Sequence, residues 1–293
     1  MSSRPWVNGA TRVFCLIGNP VNHSISPQMY NKVFQSLGLN CVYIAFQVEE
    51  TDLEEAVEGL KALGVSGFNV TIPHKTPMLK LIDEVDSGAQ KIGAVNVVVR
   101  EGDRLIGYNT DVDGVEYAFT KAGVSPNAKR ITLLGAGGAA RAVIAYFVKA
   151  GCKEVYLLNR SLKRALRLAE EAKRDWGLEV TAAPLSTEDL KRFLRESEIV
   201  VNATPLGMHP KKDETPVPKE LIEGRHVVFD VVYTPIKTRL LKDSEDRGAR
   251  VIRGLDMLVG QGLRAFELFT GLEAPRDVME KAAVSALGDM DEG

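Results

Sequence analysis

Lysine closes the segment Asn-Val-Thr-Ile-Pro-His-Lys, residues 69–75, just past what reads as the end of a β-strand, and aspartate closes Gly-Tyr-Asn-Thr-Asp, residues 107–111, in the same kind of place. Lys75 and Asp111 have two readings. Either they are solvated loop ends, or they are a proton-transfer pair, in which an ammonium gives a proton to an oxygen gaining negative charge and a neutral amine takes one back. Other polar side chains gather nearby in the chain. Ser24 and Ser26 lie two apart after the first strand, so an extended segment points both hydroxyls one way. As helix caps one would suffice, beside a Pro27 suited to a first helical position. Asn69 and Thr71 follow the third strand with Lys75, while Asn96 and Asp111 come from a hairpin segment. Ligands of parallel sheets lie outside the carboxyl ends of the strands, where most of these residues fall. Their convergence predicts a polyhydroxylated substrate.

A second constellation begins at Ile131, where Ile-Thr-Leu-Leu-Gly-Ala-Gly-Gly-Ala-Ala-Arg is a buried apolar strand, a glycine cluster and the start of a helix. It carries G-x-G-x-x-A at Gly135, Gly137 and Ala140: one glycine for the tight turn, one for close approach of backbone to a pyrophosphate, and a small residue for helix-to-strand packing. A glycine pattern alone also serves βα turns that bind nothing, but here a strand precedes it, a helix follows, and a second strand ends at Asn-Arg-Ser. The spacing predicts a dinucleotide site. At that second strand end an acidic residue would accept the ribose 2′-hydroxyl of NAD; the chain instead offers Asn159, Arg160 and Ser161, with Arg164 a turn further on. A guanidinium suits a 2′-phosphate, so NADP is the expected cofactor, although both arginines could simply open a solvated helix.

Positioning these groups requires two α/β units. At 293 residues the chain holds roughly two domains of ordinary size. Strand patterns at 12–18, 41–48 and 67–72 alternate with helix patterns at 27–37 and 52–63, the order of a mostly parallel sheet. Residues 95–109 read as a hairpin at the sheet edge. After a turn-rich link the alternation restarts, with strands in Ile-Thr-Leu-Leu, Glu-Val-Tyr-Leu-Leu-Asn, Glu-Val-Thr-Ala-Ala, Glu-Ile-Val-Val-Asn-Ala and His-Val-Val-Phe-Asp-Val-Val. Two amphipathic helices at the C-terminal end have no strand between them and are assigned back to the first domain. The expected division is 1–111 with 254–293 for the substrate domain and 112–253 for a doubly wound dinucleotide-binding domain. Met257 and Leu258 fit a helix core face, and the polar, proline-rich residues 209–218 read as a mobile surface loop.

Composition narrows the partners. With 45% hydrophobic and 26% charged residues and a net charge of -2, no basic field invites nucleic acid or anionic lipid. Cys15, Cys41 and Cys152 are odd in number and set in apolar stretches, which suits a reducing compartment. No run spans a bilayer, and the first ten residues lack the apolar core of a signal peptide, so a cytoplasmic location is expected. His23, His74, His209 and His226 show no metal-ligand spacing and read as surface or structural.

Several blocks in fixed order make the chain similar to the shikimate/quinate dehydrogenase family, and to its NADP-dependent shikimate dehydrogenases in particular. These are His-Ser-Ile-Ser-Pro at 23, the 69–75 segment, Gly-Ala-Val-Asn at 93, Asn-Thr-Asp-Val-Asp-Gly at 109, the glycine loop at 135, Asn-Arg-Ser at 159, Asn-Ala-Thr-Pro-Leu-Gly-Met at 202 and Gly-Leu-Asp-Met-Leu-Val-Gly-Gln-Gly at 254. The resemblance implies reversible reduction of 3-dehydroshikimate to shikimate by NADPH, in aromatic amino acid biosynthesis. It makes Lys75 and Asp111 the catalytic pair, and gives Ser24, Ser26, Asn69, Thr71, Asn96, Tyr233 and Gln261 contacts to substrate. On the cofactor side it implies a phosphate loop of Gly135, Ala136, Gly137, Gly138 and Ala139, and an adenosine phosphate site from Asn159 to Arg164. Ala203, Thr204, Val231 and Gly254 then line the nicotinamide half. Three positions depart from the family pattern: Tyr30 for a common histidine, Val97 for a frequent threonine, and Thr234 for a frequent asparagine. Alternatives remain: a quinate/shikimate dehydrogenase using NAD or NADP, or a non-catalytic sensor of shikimate-like metabolites. Either a monomer or a homodimer fits the composition.

Overall fold

The computed structural model describes residues 7–208 and 210–291, so His209 lies outside them. The chain divides into two compact units, Met1–Thr110 with Gly262–Gly293, and Asp111–Gln261.

In the first unit β1 (Arg12–Gly18), α1 (Ser26–Ser36), β2 (Cys41–Gln47), α2 (Leu53–Ala62) and β3 (Gly67–Val70) follow the expected alternation, and β1 pairs in parallel with both β2 and β3. β4 (Glu84–Val85) and the short α3 (Ser87–Ile92) precede the antiparallel hairpin of β5 (Val97–Glu101) and β6 (Arg104–Tyr108). The six-stranded sheet runs β2-β1-β3-β5-β6-β4. The hairpin is therefore not the edge: two residues of β4 pair outside it, too few to show a strand period. At the opposite edge Asn31 of α1 clips the outer side of β2. Its Oδ1 accepts the Tyr43 amide and its Nδ2 donates to the Tyr43 carbonyl, both at 2.8 Å. Such clips protect an edge from pairing with another chain.

The second unit starts with α4 (Asp111–Lys121), then alternates β7 (Arg130–Leu134), α5 (Gly138–Lys149), β8 (Glu154–Asn159), α6 (Leu162–Trp176), β9 (Val180–Pro184), α7 (Thr187–Glu196), β10 (Ile199–Asn202), β11 (Val227–Asp230), α8 (Arg239–Asp246) and β12 (Arg250–Arg253). All pairs in its sheet are parallel. The order β12-β11-β10-β7-β8-β9 reverses direction between β7 and β10, the topological switch of a doubly wound dinucleotide fold. β12 escapes the sequence pattern because it is a four-residue edge strand between arginines, with only Ile252 fully buried. Aromatic edges organise the core: Phe119 of α4 meets Phe147 and Phe229 in near-perpendicular contacts at 5.6 and 5.5 Å. Truncating a buried phenylalanine of this kind costs about 3–5 kcal/mol.

The chain ends in α9 (Gly254–Thr270) and α10 (Arg276–Asp291), and the first unit takes over at Gly262, later than the expected boundary at residue 254. Within that unit Phe269 packs its ring 5.0 Å from that of Phe14 on β1. Met257 is buried in the second unit's core, as its spacing implies. The proline-rich stretch is less loose than its composition suggests, since Val217 is fully buried among Leu190, Ile222 and Leu240.

Candidate active site

β3 ends at Val70, and past Pro73 the chain turns back on itself: the His74 amide reaches the Thr71 carbonyl at 2.9 Å and the Met78 amide reaches the His74 carbonyl at 3.0 Å. His74 is wholly buried and its Nε2 lies 2.8 Å from the Val48 carbonyl, which pins the turn to the end of β2. Lys75 follows, half-buried, with its carbonyl accepting the Val95 amide at 2.8 Å. One residue on, Asn96 clamps Thr110, taking its amide on Oδ1 at 2.7 Å and donating Nδ2 to its hydroxyl at 3.1 Å. Thr110 leads directly into Asp111, which opens α4 rather than ending a strand and is buried, 4% exposed. A buried carboxylate cannot be a solvated loop end, because its desolvation has to be compensated by partners.

Asn69 and Asn96 belong to one network. The Tyr43 hydroxyl donates to Asn69 Oδ1 at 2.6 Å, and Asn69 Nδ2 donates to the Asn96 carbonyl at 3.3 Å. Tyr43 stacks on Tyr30 with rings 4.4 Å apart and 7° from parallel, so the tyrosine at the position where the family commonly has histidine backs the ring that holds Asn69. Ser24 and Ser26 do not lie on an extended segment. Ser24 closes a turn onto the Val21 carbonyl, its hydroxyl accepts the Ser26 amide at 3.3 Å, and Ser26 is already the first residue of α1. Neither serine caps that helix, whose N-cap is Ile25. Thr71 leans its methyl over Gly18, where any Cβ would clash with it. Tyr233 and Gln261, both half-buried, belong to the second unit; Gln261 Nε2 donates to the Leu258 carbonyl at 3.0 Å.

The glycine loop behaves as its residue types require. Gly135 has φ +105°, and a Cβ there would stand 2.7 Å from the Ala203 carbonyl oxygen, so the turn admits only glycine. Gly137, the N-cap of α5, has extended backbone and nothing within 4 Å of a hypothetical Cβ. That open space lies where the amides opening α5 lack any side-chain cap, a ready site for phosphate oxygens. Ala140 is fully buried against the sheet. At the end of β8, Asn159 Nδ2 donates to the Ser161 carbonyl at 2.9 Å, and Arg160, Ser161 and Arg164 stand exposed around the first turn of α6. These residues fit a dinucleotide carrying a 2′-phosphate. On the other side of the switch Gly254 packs against the carbonyls of Val231 and Val232, 2.5 Å from its hypothetical Cβ. Thr204 turns inward: its hydroxyl donates to Asn202 Oδ1 at 2.6 Å and accepts the Leu206 amide at 3.2 Å. Its hydroxyl proton is thereby committed inside the protein.

Sequence reasoning passed over Asp230. It ends a strand of buried apolar residues with no exposure, and its carboxylate accepts Asn202 Nδ2 and the Val232 amide, both at 3.0 Å, and the Thr238 hydroxyl at 2.6 Å. The available signal was an acid closing the otherwise largely apolar run His-Val-Val-Phe-Asp, in which all but Val227 are buried.

Together these features define a two-domain, nicotinamide-nucleotide-dependent oxidoreductase: a doubly wound domain with a phosphate turn and a cationic second strand end, joined to an α/β domain with its own polar cluster. Family models match in the same order, the shikimate dehydrogenase substrate binding domain over residues 16–98, shikimate/quinate 5-dehydrogenase over 116–212, and the shikimate 5′-dehydrogenase C-terminal domain over 254–284. The shikimate dehydrogenase (NADP(+)) of Methanopyrus kandleri is 45% identical, covering 98% of this chain and 100% of the relative. Among solved structures, a shikimate dehydrogenase in complex with NADP+ superposes with a TM-score of 0.89 at 40% identity, over 96% of this chain and 97% of the other. The shikimate 5-dehydrogenase of Thermus thermophilus, in complex with NADP(H) and shikimate, gives a TM-score of 0.84 at 38% identity, over 94% of this chain and 100% of the other. The chain belongs to the shikimate dehydrogenase family.

Proposed function

We infer that this protein catalyses the NADP-dependent, reversible reduction of 3-dehydroshikimate to shikimate, with Lys75 as proton donor and acceptor and Asp111 as its acidic partner. NADPH, when bound, supplies the hydride. Lys75 provides the proton that neutralises charge developing on the ketone oxygen, and in the reverse direction its neutral amine accepts the hydroxyl proton. Ser24, Ser26, Asn69, Thr71, Asn96, Tyr233 and Gln261 are assigned to substrate. For Asn69 the assignment is one of support, because its oxygen already holds the Tyr43 hydroxyl and its amide already reaches Asn96.

The observation that carries this reading is the burial of Asp111 directly after a threonine locked by Asn96, since a carboxylate so placed and desolvated is what a proton-transfer site needs. Arg160 and Arg164 hold the 2′-phosphate and set the preference for NADP over NAD. A cytoplasmic enzyme, monomeric or homodimeric, completes the assignment. The test is absorbance at the nicotinamide band on mixing purified protein with shikimate and NADP+, repeated with NAD+ and with quinate. Reduction of NADP+ by shikimate at the highest kcat/KM of the four combinations is expected. Faster turnover with quinate, or with NAD+, points to the broader quinate/shikimate activity instead.

A further inference from the structure

A dinucleotide lies across the switch point of a doubly wound sheet, one half over the strands that follow the phosphate turn and the other over the strands beyond the reversal. Here the adenosine side belongs to β8, with Arg160 and Arg164, which leaves the ends of β10 and β11 to carry the nicotinamide half. Those two ends are tied together from below. Asn202, the last residue of β10, spends its amide on Asp230 and on the Leu206 carbonyl, and its oxygen on the Thr204 amide and hydroxyl. Asp230, the last residue of β11, receives Asn202 on one oxygen together with the Val232 amide, and receives Thr238, the N-cap of α8, on the other.

We propose that Asp230 is a positioning residue for the nicotinamide half of the cofactor: its buried carboxylate fixes the turns after β10 and β11, and through them the backbone at Ala203, Thr204 and Val231. The proposal rests on the assignment of NADP to this domain. Three donors from three separate segments converge on one carboxylate, and no apolar residue could replace it without orphaning all of them. Burial pushes its carboxyl up to about 7 against the pull of these three hydrogen bonds, so ionising it is harder in the folded state than in the unfolded chain.

The test uses the whole enzyme with Asp230→Asn and, separately, Thr238→Val, which removes a single donor. Binding of NADPH is measured by its fluorescence, and binding of adenosine 2′,5′-bisphosphate, which lacks the nicotinamide half, by competition. Asp230→Asn is expected to weaken NADPH about tenfold or more and to leave the bisphosphate within about twofold. Thr238→Val is expected to show the same selective loss, and carries the test if Asp230→Asn folds poorly. Unchanged NADPH affinity in both variants, or equal weakening of NADPH and bisphosphate, overturns the proposal. Failure of the unaltered enzyme to bind NADPH overturns the cofactor assignment along with it.

Discussion

Replacing Lys75 by alanine is expected to lower kcat by at least ~10²-fold, the usual loss when a positioned acid-base group is removed. Its backbone is held by Val95 and the preceding His74 is anchored elsewhere, so far-ultraviolet circular dichroism should be unchanged. Near-normal turnover in that variant removes Lys75 from the chemistry. The two arginines at the end of β8 are a separate matter of recognition. Exposed and uninvolved in the core, Arg160 and Arg164 can both become alanine without loss of fold. KM for NADP+ should then rise roughly tenfold to a hundredfold, as charged hydrogen bonds to the phosphate disappear, while KM for NAD+ stays level. An equal rise for both cofactors would place the 2′-phosphate elsewhere.

At the scale of the strand-turn-helix element, two glycines two residues apart are under opposite constraints. Gly135→Ala forces a side chain into a left-handed backbone region and onto the Ala203 carbonyl, so it should cost about 1–3 kcal/mol of stability, read from the denaturant midpoint. Gly137→Val meets open space and extended backbone, so the midpoint should stay within ~0.5 kcal/mol of the parent while NADP+ affinity falls. The same residue type thus separates folding from binding. Legibility at this scale followed locality. The βαβ segment from Arg130 to Asn159 was readable because its signals are contiguous, whereas β4 and β12 were too short and too polar to register until partners paired with them. The turn at Ser24 and Ser26 was likewise unreadable, since two short hydroxyl residues before a proline fit either an extended or a turned segment.

For the whole molecule, acid and base limbs of stability have identifiable sources. His226 is buried, with Nε2 3.0 Å from the Leu194 carbonyl and Nδ1 accepting the Glu223 amide at 3.0 Å, an arrangement that needs the neutral ring. Burial lowers its pKa, so the unfolded chain takes up the proton first. Its contribution is therefore present above about pH 6.5 and is lost as pH falls through the lower folded value. His226→Gln should flatten that acid limb in Tm measured from pH 7 to 5. Asp230 acts with the opposite sign. Its folded pKa is raised to about 7, so its contribution fades as pH rises toward that value, and Asp230→Asn should remove the fade.

By itself the sequence determined the alternation of strands and helices, the glycine turn, the cationic end of β8 and the resemblance that names the reaction. Each of these is written in residues that are neighbours along the chain, where steric and periodic rules act directly. Only the tertiary structure decided that Asp111 is buried, that Asn69 and Thr204 point their polar atoms inward, and that Asp230 joins the ends of β10 and β11. Those outcomes depend on which distant segments share a hydrogen bond away from water, and residue types along the chain do not encode that pairing.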